Sequence, residues 1–555
     1  MVRATFSGFN TALSALQANQ KRLDITGQNL SNMNTAGYTR QQLEASSLNY
    51  TNPVSHYSNG NETAVGFGVS MDRVSQIRDP YLDIQYRSQS ADCSYTNRLQ
   101  TALNSLSKVL DETTISGIRK AFDDVQSTLT SMQDPAKVSD PIYESELRTK
   151  MQSVCNLFNQ ASRQITQAEQ NEFQRLTGEG SSEQGDVQKI NDILRQIGDL
   201  NVQIKRNQVA GHPSLELQDE RNLLLDELSG YIPVETRYYK DDAHSGNNAY
   251  DYDANGAVIG KKDWPDDLEV SMNYIDAQGK SQKLILVNGS DLGADGLTKN
   301  YGQLSVLNRD HKPAASVSDP ANISIKFEKA PSYQVNGQAA TDVYAELKGI
   351  HFEGGSLQAS LDMLQKKGTG NVINGSVDDV RGYQYYSEKL DQLADTFAKS
   401  MNASNNGNNH KDQNLLSNST DDSTNGITAG NIGISKGWTS GTIHISTDGT
   451  NRTDTILDMI AAMKDTKKLY GKTFADYMNN LSTQLASDSS SNQTALKTGT
   501  TVLNSIQDSR DSLSGVSLDE EATNMMAYVS AYNAASRLMT ALDEVLNTLI
   551  SNTGA

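Results

Sequence analysis

The stretch SGVSLDEEATNMMAYVSAYNAASRLMTALDEVLNTLI occupies residues 514–550 and contains no proline. Ala522, Met525, Val529, Tyr532, Ser536, Met539, Leu542, Leu546 and Leu549 recur along it at steps of three and four. Such steps draw one narrow stripe down a helix, a coiled-coil-like seam and not a wide core face. Some seam positions are small or polar. A helix of this kind is marginal in water by itself and needs a partner. Asp519, Glu520 and Glu521 fall in its first turn, where carboxylates complement the positive end of the helix dipole. That placement accounts for the acidic run without a catalytic role.

The partner is expected at the other end of the chain. Leu13, Leu16, Gln20, Leu23, Gly27 and Leu30 also fall at steps of three and four, with Phe6 and Phe9 upstream. All ten prolines lie between Pro53 and Pro331, so both ends are free to form long helices. Two weak amphipathic ends can cover each other only if everything between them is an insertion.

The intervening chain changes character twice. Leu99, Leu103, Leu106 and Leu110 share one helical face, and Ile190, Ile193, Leu194, Ile197, Leu200 and Ile204 share another. LELQDERNLLLDELS (215–229) closes this helical region, with Gly230 as its expected C-cap. From Tyr231 short β-branched and aromatic runs take over: YIPVETRYY, LEVSMNYI, QKLILV, ISIKFE and VYAEL. The turn sequences DANG (253–256), DAQG (276–279) and VNGQ (335–338) separate them. Helical sequence returns at GSLQASLDML (355–364) and YQYYSEKLDQLADTFAKSMNA (383–403). A Ser/Asn/Gly-rich stretch near 404–430 reads as loop, and NIGIS with GTIHIS reads as a short strand pair.

The expected fold is therefore α+β and multidomain. The N- and C-terminal helices pair into a coiled coil or helical bundle, and an all-β module is inserted between them. The divisions are a terminal axial helix and turn at 1–50, pairing with a C-terminal axial helix at 514–555. A helical-bundle domain spans 51–230 together with 356–403 and 453–513. A β-rich surface module fills 231–355, and a loop with a small β segment fills 404–452.

Composition narrows the function. A chain of 555 residues exceeds what one core usually organises. Hydrophobic residues make up 36%, and Ser, Asn, Thr, Gln and Asp fill the difference. A net charge of −19 argues against nucleic acid, whose phosphates need a clustered positive face. No polybasic run suits an anionic membrane. The longest aliphatic run in the middle of the chain, Leu284 to Val287, is far short of the roughly 20 residues that span lipid. The opening MVRATFSGFNTALSA has no continuous apolar core, so a cleavable signal peptide is not expected.

The residue types that carry chemistry are scattered. His56, His212, His244, His311, His351, His410 and His444 have no second ligand at zinc spacing. Cys93 and Cys155 sit too far apart for a redox pair or metal site and read as buried free thiols, with a disulfide or reactive thiol as the alternative. DYDANGAV (251–258) copies the first half of an EF-hand loop, but Lys262 stands where a bidentate glutamate belongs. A hairpin turn with Asn-Gly at its bend explains it better. No catalytic residue, metal or cofactor is expected.

Near the start, NLSNMNTAGYTRQ (29–41) follows the first helix with a string unsuited to a core. Asn and Thr side chains can bond local backbone, Gly37 permits unusual dihedrals, and Tyr38 has one apolar face and one hydroxyl. The segment SNMNTAGYTRQ (31–41) resembles the signature of the bacterial flagellar axial proteins: rod, hook and hook-associated proteins. On that resemblance Asn32, Asn34, Thr35, Gly37, Tyr38 and Arg40 form the axial motif, with Ala36 where the family has proline. The ending LDEEATNMMAYVSAYNAASR and the blocks at 215–235 and 383–403 are similar to the hook–filament junction members of that family.

The resemblance implies a structural, non-enzymatic protein that self-associates in a tubular polymer between hook and filament. Its implied partners are the hook protein, a second junction protein (hook-associated protein 3, FlgL) and a FlgN-type export chaperone. The implied location is the extracellular flagellum, reached through the flagellar type III apparatus. Leu13, Leu16, Leu23 and Leu30 then form an N-terminal assembly seam. Met525, Val529, Tyr532, Met539, Leu542, Leu546 and Leu549 form a C-terminal seam for assembly or chaperone. The alternatives are a hook or rod protein of the same family and, remotely, a secreted enzyme or adhesin acting through the β-module.

Overall fold

A computed structural model describes residues 2–48, 68–110, 117–138, 140–178, 184–239, 250–252, 258–261, 267–275, 279–293, 296–308, 323–335, 338–339, 343–345, 353–373, 376–407, 411–446 and 453–553. The helices in chain order are α1 (Val2–Asn32), α2 (Pro80–Leu110), α3 (Ile118–Ser131), α4 (Pro135–Val138), α5 (Pro141–Thr177), α6 (Asp186–Val209) and α7 (Leu215–Tyr231). They continue as α8 (Ser356–Gln365), α9 (Tyr383–Asn405), α10 (Lys436–Ser440), α11 (Asp454–Lys464), α12 (Phe474–Ser514) and α13 (Leu518–Thr553).

The ends pair in two successive antiparallel steps. α1 lies along α13, with Leu542 packed over Gly8 and the Arg22 guanidinium 5.6 Å from the Tyr528 ring centre. α2 lies along α12, where Gln100 Nε2 donates to Ser489 Oγ at 2.7 Å and Asn492 Nδ2 to the Thr96 carbonyl at 2.8 Å. Between the two pairs the chain crosses twice, at residues 33–40 and 514–517, and these crossings form an elbow. A hairpin of β1 (Gln41–Ser47) and β2 (Val69–Gln76) folds back from the elbow along α1. The hairpin is absent from the sequence expectations because its strands are polar and largely exposed, leaving no strong alternation to read.

The body is organised by capped helices around one core. Asp140 caps α5 by accepting the Ile142 N–H at 2.9 Å, with Pro141 at the first helical position, and Gly178 (φ +77°) ends it in the left-handed region. Thr473 caps α12 by accepting the Asp476 N–H at 3.2 Å. Phe122 of α3, Phe158 of α5, Phe397 of α9 and Phe474 of α12 pack edge-to-face or tilted, with centroids 5.1 to 5.9 Å apart. This ring cluster joins segments hundreds of residues apart in sequence. All six residues of the Ile190–Ile204 face are buried.

Strands Glu235–Tyr239, Asp267–Ile275 and Ser281–Asn288 form one antiparallel sheet, and Gln303–Asn308, Ile323–Glu328 and Val343–Ala345 form another. Leu268, Val270, Leu284, Leu304 and Phe327 share the core of the helices. Amide clamps fasten α6 to the sheets: Asn191 exchanges bonds with the Leu304 backbone at 2.7 and 2.8 Å, and Asn201 donates to Leu268 and Gly289 carbonyls at 3.0 and 3.1 Å. Tyr250–Tyr252 pairs with Val258–Lys261, as the hairpin reading of DYDANGAV requires. Residues 253–257 and Lys262 themselves lie outside the described residues, as do 276–278 of DAQG and 336–337 of VNGQ.

Two expectations are corrected. Gly230 is not the C-cap of α7: the helix runs to Tyr231, and the Ile232 N–H closes it on the Leu228 carbonyl at 3.0 Å. Gly230 instead faces α2, where an added Cβ would stand 3.2 Å from Ser94 Oγ. NIGIS pairs not with GTIHIS but with Leu416–Asn418, inside the stretch read as loop. Asn402 brings this about, since its Oδ1 accepts the Leu415 and Leu416 N–H groups, both at 2.9 Å. Its Nδ2 donates to the Leu416 carbonyl at 2.7 Å. A side-chain amide here supplies strand-like pairing that no periodicity announces.

Candidate assembly site at the elbow

The last turn of α1 and the motif after it are tied together by one buried side chain. Asn29 is 1% exposed. Its Oδ1 accepts the Gln41 N–H at 3.0 Å and the Tyr38 hydroxyl at 2.9 Å, and its Nδ2 donates to the Gln41 carbonyl at 3.0 Å. The amide therefore pairs with strand β1 as a neighbouring strand would. Within the turn, the Thr35 N–H donates to the Asn32 carbonyl at 2.9 Å, Thr35 Oγ1 to Asn32 Oδ1 at 3.3 Å, and the Tyr38 N–H to the Thr35 carbonyl at 3.2 Å. Gly37 takes φ +77°, which an L side chain resists. Asn34 is exposed. Burial, with Glu216, Asp219 and Glu521 nearby, raises the Tyr38 hydroxyl, so it stays a proton donor.

Arg40 joins both crossings. Its N–H donates to the Ser514 carbonyl at 2.9 Å, and its carbonyl accepts the Ile77 N–H at 2.9 Å. Its guanidinium holds Glu521 at 2.8 Å and Glu520 at 2.7 Å. Glu521 is 2% exposed. Glu520 and Glu521 of the first turn of α13 thus have a specific cation in addition to the helix dipole.

Below Arg40, the Thr39 N–H and hydroxyl both donate to Asp219 of α7, at 3.0 and 2.6 Å. A chain of alternating charge then runs through the body: Arg78 with Asp83 at 2.5 Å, Asp83 with Arg510 at 3.1 Å, Arg510 with Asp226 at 2.7 Å, and Asp226 with Arg87 at 2.8 Å. Arg510 also lies 4.3 Å over the Tyr86 ring. A cleft of about 810 Å³ opens here, with Met33, Tyr38, Leu223, Arg510 and Val516 among its lining residues.

Burial lifts the Asp219 carboxyl to about 6, against the opposing bonds from Thr39, the Arg78 charge and Gln76. The folded value lies above the usual carboxylate value of about 3.9, so the folded state binds the proton more tightly. Its contribution to stability is fully present below about pH 4 and is lost as pH rises through 6, by about 1–3 kcal/mol. The stability difference between the wild-type chain and Asp219→Asn, measured by urea unfolding from pH 4 to 8, is expected to drift by that amount. A difference constant over this range would contradict the assignment.

The seam residues divide by exposure. Met525, Met539, Leu542 and Leu546 are half-buried, while Val529, Tyr532 and Leu549 are exposed. Leu16, Leu23 and Leu30 are half-buried and Leu13 is exposed at 46%. Among the described residues, Ala12, Ala18, Asn19, Ile25, Thr26 and Asn29 hold the buried positions of α1. Sequence reasoning missed Asn29 and the Arg40–Glu521 pair. The available signals were an asparagine in the last helical turn and a basic residue and an acidic run at opposite ends of the chain.

Elsewhere, Cys93 and Cys155 are buried free thiols, as expected, and burial pushes the Cys155 thiol up to about 12. His212 and His444 are exposed, and the other five histidines lie outside the described residues. Among the described residues no cluster of His, Cys, Asp or Glu is placed to hold a metal ion, and no helix is long and apolar enough to cross a membrane.

Chain ends paired over an inserted body, with an Asn/Gly/Tyr elbow, agree with the class that the motif at 31–41 resembles, the axial structural proteins of the bacterial flagellum. Three family models agree: Flagella basal body rod protein matches residues 9–39, and Flagellar basal body rod FlgEFG protein C-terminal matches 509–552. Flagellar hook-associated protein FlgK helical domain matches 103–416, more than half the chain. The chain belongs to the flagellar hook-associated protein FlgK family, the family of the hook–filament junction.

Flagellar hook-associated protein 1 of Bacillus subtilis is 28% identical over 99% of both chains. The Salmonella typhimurium protein of that name is 28% identical over 41% of this chain and 38% of its own. The solved flagellar hook junction protein FlgK from Burkholderia pseudomallei aligns with 61% of this chain and 45% of its own, at 19% identity and a TM-score of 0.38, too loose to bear on the fold.

Proposed function

We propose that this chain polymerises at the distal end of the hook by coupled folding of its terminal helices and so connects hook to filament. One observation carries the reading. Among the described residues of the 36-residue α13, only Glu521 and Ala535 are buried. Met526, Val529, Leu538, Val545, Leu549 and Ile550 are between 43% and 65% exposed. Ordering backbone costs about 1–2 kcal/mol per residue, and burying a large apolar side chain returns about 1.5–3 kcal/mol. α13 therefore gains too little from α1 alone. Neighbouring subunits in a tube would cover the remaining apolar residues, which confines ordering to the growing tip.

The same exposed residues suit a FlgN-type chaperone before export through the flagellar type III apparatus. The hook protein below and FlgL above are the partners the position implies. The first test adds purified chain to isolated hooks and follows amide exchange. Residues 526–550 should exchange near random-coil rates in the free chain and at least tenfold more slowly once bound at hook tips. A chain that stays unbound, or an α13 equally protected before and after binding, overturns the reading.

A further inference from the structure

The body carries a basic knuckle at one end and an acidic face at the other. Just before α12, residues 464–472 read KDTKKLYGK, four lysines in a chain of net charge −19. Lys464, Lys467 and Lys468 are exposed and Lys472 is half-buried. The nearby Asp465 accepts the Lys467 N–H at 2.9 Å, and Asp476 accepts the Thr473 hydroxyl at 2.7 Å. The buried Leu469 anchors the knuckle, and the Gly471 N–H closes it on the Thr466 carbonyl at 2.9 Å. Tyr470 stands at its tip with φ +53°, a conformation an aromatic residue resists, and is 73% exposed. Its ring is held in place. Gln392 Nε2 donates to its hydroxyl at 3.2 Å, and Lys389 Nζ lies between the Tyr470 and Tyr385 ring centres, at 5.7 and 5.5 Å. A strained backbone thus sets one ring in solvent among lysines.

Glu216, Glu220, Leu223 and Glu227 follow one another along α7 at steps of four, three and four, so they share a face. All four are exposed, Leu223 by 48%. Among the described residues, none of these glutamates and none of the lysines of the knuckle is ion-paired. Asp226 of α7 meets Arg510 at 2.7 Å, so α7 lies beside the elbow end of α12. The helix from Thr473 to Arg510 is roughly 55 Å long at 1.5 Å per residue. The knuckle therefore cannot reach the α7 face of its own chain.

We propose that the knuckle of one copy docks on the α7 face of a second copy, with Tyr470 against Leu223 and the lysines among Glu216, Glu220 and Glu227. The two surfaces complement each other in charge, and each has one exposed apolar side chain at its centre. The α7 face also adjoins the elbow, since Leu223 lines its cleft. Unlike surfaces meet, so the contact repeats from copy to copy around a tube and does not close in a pair. This rests on the tube reading, but it joins the bodies and not the terminal helices.

The test binds a mixture of unlabelled and isotope-labelled full-length chain to isolated hooks and treats it with a carbodiimide, which joins a lysine amine to a touching carboxyl. Links between 464–472 and 216–227 in mixed-isotope pairs are expected. Lys464→Glu with Lys467→Glu should lower the chain held at hook tips at least fivefold. Adding Glu216→Lys with Glu220→Lys to the same chain should restore it to within twofold of wild type. Tyr470→Gly should lower it several-fold while the urea midpoint of the body does not fall, because glycine accepts the left-handed conformation. Bound chain without this link, a knuckle linked to the hook protein, or a charge-reversed chain that binds normally would overturn the contact and leave assembly at the hook tip standing. Chain that never binds hooks would overturn both.

Discussion

Cells whose only copy of this protein carries Arg40→Glu are expected to build hooks and no filaments. Arg40 joins the two chain crossings of the elbow through its N–H on the Ser514 carbonyl, and its guanidinium neutralises Glu520 and the buried Glu521 of α13. Reversal sets three carboxylates together around a site with 2% exposure at Glu521. Removing one partner of a buried ion pair costs about 3–5 kcal/mol, and partial exposure of Arg40 reduces this to about 2–4 kcal/mol. That loss falls on the root of α13, where pairing must begin. The body should be untouched, because the charge chain from Arg78 to Arg87 and the ring cluster do not include Arg40. Electron microscopy of cells, with limited proteolysis of the purified variant, separates the outcomes. The expected result is bare hooks with a protease-resistant body. Joint charge exchange, Arg40→Glu with Glu521→Arg, should restore part of the filament count. Normal filaments in the single variant would show that the clamp is dispensable.

The second large effect lies on the uncovered side of α13. Leu538 and Val545 are seven residues apart, on one face, and 48% and 50% exposed. Leu538→Asp with Val545→Asp removes no contact of the body. Surface substitutions of this kind alter stability by about 0.5 kcal/mol or less. The urea midpoint of the body should therefore stay at the wild-type value. If neighbours in the tube cover these positions, two carboxylates would each be buried without a partner, and assembly would fail outright. The expected phenotype is hooks of normal length with flagellin lost to the medium. Filaments at wild-type frequency would show that this face looks into solvent in the assembled tube.

Much of this architecture is legible in the sequence, for physical reasons. The confinement of proline to Pro53–Pro331 frees both ends for helices. The apolar steps of Ile190–Ile204 and of 383–403 mark core faces because burial is cooperative along a helix. What periodicity cannot show is pairing made by side-chain amides. Asn29 completes strand β1, Asn402 completes the strand at Leu416–Asn418, and Asn191 and Asn201 fasten α6 to the sheets. Each looks polar and loop-like in a window of neighbours. Ion pairs across the whole chain are equally silent: Arg40 and Glu521 are 481 residues apart in the sequence. The seam leucines show a third limit. The three-four steps mark a helix face, but Leu13 is exposed while the adjacent stripe of Ala12, Asn19 and Thr26 is buried.

On the proposed reading, filament growth depends on this chain once the hook is complete. The most direct measurement is a clean deletion of its gene in a flagellated host, imaged by electron microscopy with flagellin assayed in the medium. The account predicts hooks of normal length, no filaments, and monomeric flagellin in the medium, reversed when the wild-type chain is supplied. Absent hooks would place the protein lower in the axis, and normal filaments would contradict the junction role.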